Sequence, residues 1–233
     1  MLTPNALAAT AALLGEPARA AMVEALFAGQ AMTATELAKV AGIGAPAASA
    51  HLQKLVEGGL VVVHPQGRHR YHALANAEVA AALEALGSLT LATQPLRRWR
   101  HDEVLRDARL CWDHCAGRLG VALHRALVAR GWLAPAAGGW ATTDAGAAGL
   151  GAMGVDLAAA RTARRFACDC MDWSERRPHL AGGLGRELAA CCLRQGWLRR
   201  VPAPDGASAL ARRRLALSPD GARQLHAALG VAL

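Results

Sequence analysis

The stretch TATELAKVAGIGAPAASAHLQKLVEGGLV, residues 33–61, decides the fold. Its apolar residues return at helical spacing on both sides of GIGAP (42–46). Thr33 or Thr35 can cap a first helix, Gly42 supplies the backbone freedom of a turn, and Pro46 suits the first turn of a second helix. This is the pattern of a helix-turn-helix. The second helix turns Ala47, Ser49, Ala50, Gln53 and Lys54 outward and keeps Ala48, Leu52 and Leu55 toward the core.

Working outward, GEP (15–17), AGQ (28–30) and GG (58–59) divide Asn5–Leu86 into short helices. LVVVH (60–64) is rich in β-branched residues, PQG (65–67) is a turn, and RHRYHAL (68–74) returns as a second strand. Helices followed by such a hairpin make a winged helix. EVAAALEALGSLTL (78–91) is a further amphipathic helix, and TQPLRRWRHDE (93–103) is a polar connector. The second helix of the pair would enter the major groove of DNA, with Arg68 and Arg70 of the wing reaching phosphates or the minor groove. A three-helix module can also pack this way without touching DNA.

The runs LLGEPARAAMVEAL (13–26), TELAKVAGIGAPAASAHLQKLVEGGLV (35–61) and HPQGRHRYHAL (64–74) together resemble the ArsR/SmtB family of winged-helix repressors. The resemblance includes Glu16, Pro17 and Arg19 at one helix entry, and Ser49, His51 and Leu52 on the recognition helix. It implies a homodimer on a palindromic double-stranded operator, released when an effector binds, with Ala47, Ser49, Ala50, His51, Gln53, Lys54, Arg68 and Arg70 as the DNA-facing set. Gly44, Ala45 and Ala47 stand where the family usually carries polar readers, so part of the recognition is expected from DNA shape and from arginines elsewhere. Two recurrent metal sites of the family are missing. AMTATELA (31–38) has no cysteine pair, and EVAAALEALGSL (78–89) has no Asp/His set. Any sensor must lie in the rest of the chain.

The 233 residues are 53% hydrophobic and 19% charged, which suits a chain that buries a core without disulfide staples. The apolar content is mostly scattered alanine, with no run long enough to span a membrane, and the first twenty residues do not read as a secretory signal. The expectation is a cytoplasmic protein with no membrane partner and six reduced cysteines. Residues 1–86 hold five Lys/Arg against six Glu, net −1, whereas 87–233 hold 21 basic against 12 acidic residues, net +9. Nearly all the basic residues are arginines. The clusters at Arg97, Arg98, Arg100, at Arg161, Arg164, Arg165, and at Arg199, Arg200, Arg212, Arg213, Arg214 read as solvated faces, though the last brackets a hairpin that could touch phosphates.

The second half repeats itself. HCAGRLGVALHRALVARGWL (114–133) aligns without gaps on HLAGGLGRELAACCLRQGWL (179–198) at an offset of 65, and TTDAG (142–146) answers LSPDG (217–221). Each copy reads as a helix, a hairpin opening with GWL and a capped helix. The expected architecture is therefore mainly α with small β-hairpins (α+β): a winged-helix domain at 1–92, a connector at 93–103, and a duplicated sensory domain at 104–233 with repeats at about 104–157 and 168–233.

Before each repeated helix lies a Cys-x-Asp with a nearby histidine: Cys111, Asp113 and His114, then Cys170, Asp172 and His179. On a helix, Cys111, His114 and Cys115 would share a face; Cys168 and Cys170 share a side only in an extended segment. Thiolates with imidazoles bind thiophilic ions, so Cys111, His114, Cys115, Cys168, Cys170 and His179 are the expected ligands for Zn(II), Cd(II), Hg(II), Cu(I) or trivalent arsenic. Three alternatives remain open. The cysteines can be small core hydrophobes, above all Cys191 and Cys192; they can form a redox switch beside Arg165, Arg176 and Arg177; or an organic effector can bind near Trp112, Trp132 and Trp173. No glycine loop for phosphates and no GxSxG elbow is present, so an enzyme is not expected.

Overall fold

The computed structural model describes residues 3–27, 29, 31–93, 103–204 and 211–232, with side chains omitted at 88–93. Most of the 93–103 connector, including Arg97, Arg98 and Arg100, lies outside the described residues. The chain forms two compact units, 1–87 with 203–212, and 88–202 with 213–233.

The first unit runs α1 (Pro4–Leu14), α2 (Pro17–Leu26), β1 (Met32–Thr33), α3 (Ala34–Ala41), α4 (Ala45–Glu57), β2 (Val61–Gln66), β3 (His69–Leu74) and α5 (Ala77–Thr93). Thr33 rather than Thr35 caps α3, in a capping box with Glu36, and Gly42 ends it in the left-handed conformation at φ 66°. The strands pair antiparallel in the order β1-β3-β2. Met22, Leu26, Leu37, Leu52 and Leu55 are sealed between α2, α3 and α4. Each contributes roughly 1.5–3 kcal/mol of burial. This is a winged helix, with β2 and β3 as the wing.

The second unit contains α6 (Glu103–Asp107), β4 (Arg109–Cys111), β5 (His114–Ala116), α7 (Gly117–Ala129), β6 (Leu133–Ala136), β7 (Gly139–Thr142), α8 (Asp144–Ala152), α9 (Leu157–Arg161), β8 (Cys168–Met171), β9 (Pro178–Ala181), α10 (Gly182–Arg194), β10 (Leu198–Arg200), β11 (Leu215–Leu217) and α11 (Pro219–Leu229). The repeat is visible as hairpin, helix, hairpin, helix in both copies. Leu119, Leu123, Leu127 and Leu150 from the first copy share one core with Leu184, Leu188, Leu198 and Leu225 from the second.

One expectation is corrected. Cys111, His114 and Cys115 do not lie on a helix, because residues 109–116 fold as the tight hairpin β4–β5. In a strand, neighbouring side chains point to opposite faces, which separates Cys115 from the other two.

Candidate functional site

The hairpins β4–β5 and β8–β9 place Cys111 directly opposite His114, and Cys170 directly opposite His179. Cross-strand partners have adjacent Cβ atoms, so each hairpin offers one thiol beside one imidazole. The two hairpins are brought together by an exchange of cover: α7 packs on β9 and α10 packs on β5. Two glycines permit it. A Cβ on Gly120 would lie 2.3 Å from the Cys115 carbonyl oxygen and 3.5 Å from the Cβ of His179; one on Gly185 would lie 2.4 Å from the Leu180 oxygen and 3.2 Å from the Cβ of His114. The duplicated glycines thus let each helix approach both its own hairpin and the other repeat's histidine.

The outcome is a four-residue cluster. The ligand atoms of Cys111, His114, Cys170 and His179 all lie within 4.8 Å of one another. The two sulfurs are 3.8 Å apart, and the imidazoles stack with centroids 5.1 Å apart at 28°. Cys111, His114 and His179 are buried, and Cys170 is half-buried.

Each histidine has a carboxylate at its back. Asp113 Oδ1 lies 3.0 Å from His114 Nδ1, in hydrogen-bond contact. Asp172 Oδ2 lies 3.6 Å from His179 Nδ1. Asp172 is wholly buried. Its Oδ2 accepts from Arg109 Nη2 (2.8 Å) and the Gly117 N–H (2.6 Å), and its Oδ1 from the Ser174 N–H and hydroxyl and the Glu175 N–H. The Arg109 guanidinium also stacks on Trp173, 4.1 Å from the ring centroid. Among the described residues, His114 Nε2 and both ring nitrogens of His179 are buried without a hydrogen-bond partner.

The charges follow from this packing. Burial alone would raise the Asp172 carboxyl, but Arg109 and the backbone donors hold it well below the usual carboxylate range. Burial opposes a charged His114, yet Asp113 and Cys170 outweigh it and lift the imidazole to about 9. The neighbouring Cys111 thiol and the two imidazoles hold Cys170 far below the ordinary thiol range. The packing thus favours the charged forms of both Cys170 and His114, each stabilised by the other.

Of the six expected ligands, the structure brings four together. Cys115 pairs across from Leu110, its side chain lies in the hydrophobic core, and burial pushes its thiol to about 12. Cys168 does lie on an extended strand, but opposite Ala181 at the far end of the hairpin, and it is not part of the cluster; burial raises its thiol too. Cys191 donates to the Met153 carbonyl, and Cys192 is sealed in the core. None of the six cysteines, all among the described residues, is in a disulfide. The Trp132 ring packs on α8 at Gly149, and Trp173 on Arg109, so both rings already have neighbours.

In the first unit Ala47, Ser49, Ala50, Gln53 and Lys54 are exposed on α4, and Arg68 and Arg70 are exposed on the wing. Gln53 donates to Glu57 and Ser49 to the Ala45 carbonyl within the helix. His51 differs from its neighbours. Its Nδ1 lies 3.3 Å from Arg19 Nη1 and 3.5 Å from Glu16 Oε2, while Arg19 donates to the carbonyls of Leu13 and Ala12 at the end of α1. The Glu16-Pro17-x-Arg19 entry is therefore a clasp joining α1, α2 and α4. His51 is turned toward that clasp rather than standing on the free face.

An exposed helix face and a basic wing on a three-stranded winged helix define a DNA-binding module. A helix-turn-helix domain model matches residues 14–64. The uncharacterized HTH-type transcriptional regulator YdfF of Bacillus subtilis (strain 168) is 36% identical over 204 residues, 86% of this chain and 90% of the relative. The chain belongs to the helix-turn-helix transcriptional regulators. An alignment of 204 residues is too long for the first unit alone, so the likeness to YdfF continues into the duplicated unit. Similar solved structures include the homodimeric winged-helix domain of a possible ArsR-family regulator from Mycobacterium bovis (26% identity, 37% of this chain and 79% of that one, TM-score 0.34). Another is the cadmium metal-sensor CmtR from Mycobacterium tuberculosis (33% identity, 34% and 81%, TM-score 0.30). No helix among the described residues is long and apolar enough to cross a membrane.

Proposed function

We propose that this regulator is a homodimeric repressor that leaves its operator when a thiophilic metal ion binds Cys111, His114, Cys170 and His179. The observation that carries this reading is the convergence of two thiols and two imidazoles, one pair from each repeat, within 4.8 Å. The donor set fits such an ion. With Nδ1 of His114 engaged by Asp113, Nε2 is left for a ligand, and His179 offers an unpartnered nitrogen in a fully buried position. The ion would supply a neutralising charge that draws the two hairpins onto one centre. For release to follow, the ion-bound form must favour the state that does not hold DNA. Ala47, Ser49, Ala50, Gln53 and Lys54 on α4 and Arg68 and Arg70 on the wing are the DNA-facing set; His51 supports them from behind.

A gel-shift titration of the full chain on its own promoter, with zinc, cadmium, arsenite and peroxide in separate arms, tests this. Metal-dependent release in the wild type, and retained DNA binding without release in C111S/C170S, is the expected result. A double variant that still responds to metal removes the cluster from sensing. Release by peroxide alone supports a second reading that the 3.8 Å sulfur separation favours. In it the Cys111 and Cys170 thiols are oxidised to a disulfide while peroxide is reduced to two waters.

A further inference from the structure

We infer that the site at Cys111, His114, Cys170 and His179 selects a divalent ion in tetrahedral coordination, of the zinc and cadmium class, and does not serve trivalent arsenic or ions that take two sulfurs alone. This rests on the metal reading above and sharpens it.

Donor number comes first. Arsenic(III) is held by three thiolates, and the cluster has two. Cys115 lies on the opposite face of its strand, Cys168 at the far end of its hairpin, and Cys191 and Cys192 on α10. None of these four joins the cluster.

Geometry comes second. Tetrahedral Zn–S bonds of about 2.3 Å require an S···S edge of about 3.8 Å. The separation of Cys111 and Cys170 is 3.8 Å. A linear S–M–S arrangement with the same bond length needs about 4.6 Å. It would also leave the two imidazoles idle, although the Nε2 atoms of His114 and His179 are buried with no hydrogen-bond partner among the described residues.

Charge comes third. Two thiolates and a divalent ion sum to zero, whereas Cu(I) leaves one negative charge among buried groups. The nearest buried charges give no relief, because Arg109 and Asp172 neutralise each other at 2.8 Å. Asp113 adds negative charge but lies on the partly exposed turn, where water screens it.

The test uses the full-length protein, reduced and stripped with chelator, and Co(II) as the optical probe. One equivalent of Co(II) should give the intense visible bands of a tetrahedral site with thiolate charge transfer, and Zn(II) or Cd(II) should bleach them stoichiometrically. X-ray absorption of the zinc form should show two sulfur and two nitrogen neighbours. His114→Gln and His179→Gln should each weaken Co(II) binding about tenfold or more. A zinc spectrum lacking imidazole nitrogen overturns the inference, and needs no variant to fold. So does arsenite that binds one-to-one in the wild type but not in C111S/C170S, an outcome that leaves metal sensing standing. Failure of Co(II), Zn(II) and Cd(II) alike to bind overturns both the inference and the reading beneath it.

Discussion

The two half-sites of the second unit present the same pair of ligands on very different supports. In the first, Cys111 and His114 are joined by only Trp112 and Asp113, and Trp112 takes φ 59°, a conformation a bulky side chain rarely adopts. Its carboxylate, Asp113, is 29% exposed. In the second, the turn from 172 to 177 is longer, and it is organised around Asp172, which has no exposure and accepts five hydrogen bonds. One of those donors is Arg109 on β4 and another is the Gly117 backbone on α7, both in the first repeat. A short turn fixes one half by chain geometry; a buried carboxylate fixes the other and ties it to its twin. Duplication kept the ligands and let the scaffolding diverge.

Four substitutions probe that contrast. The largest effect is expected from Asp172→Ala, which leaves Arg109 charged and buried without its partner. It should cost about 3–5 kcal/mol in denaturant unfolding of the second unit. A loss below 1 kcal/mol would show that the second half-site does not depend on its carboxylate. Gly120→Ala and Gly185→Ala come next, at about 1–3 kcal/mol each, because the added methyl meets backbone oxygen, which has no room to yield. The two should be similar, since the glycines are equivalent; a clear inequality would show that the exchange of cover is one-sided. The smallest effect belongs to Asp113→Ala, about 1 kcal/mol or less in stability, because its contact is partly solvated. Its metal affinity should nevertheless fall, and an unchanged zinc titration would detach Asp113 from the site.

The first unit was readable because helix period, capping residue and turn glycine agree over 33–61, and the β-branched run at 60–64 marks the wing. What the pattern did not reveal was the clasp. Conformity to a family motif gives no hint that His51 faces Arg19 and Glu16, since a histidine at the edge of an exposed face can turn either way.

The repeat was equally plain from its glycines and its GWL triplets, and its offset of 65 correctly paired His114 with His179. The cysteines escaped that frame. Cys111 corresponds to Cys170 at an offset of 59, because the second turn is six residues longer. LCWDHCA also lacks the glycine, proline or asparagine that usually announces a tight hairpin, so its spacing matched a helix as well as a strand. Reading the two Cys-x-Asp segments as strand ends would have matched both cysteines with both histidines and set Cys115 on the far side.

The reciprocal seating of α7 on β9 and α10 on β5 has a thermodynamic corollary. A single copy, made alone, would lack the cover for its own hairpin and could complete a four-ligand centre only by meeting another molecule, with an occupancy that rose and fell with its abundance. Fusing the copies makes assembly of the centre unimolecular. Under the proposed function, the threshold at which the protein answers an ion would then be set by the ion, and no longer by how many copies the cell happens to hold.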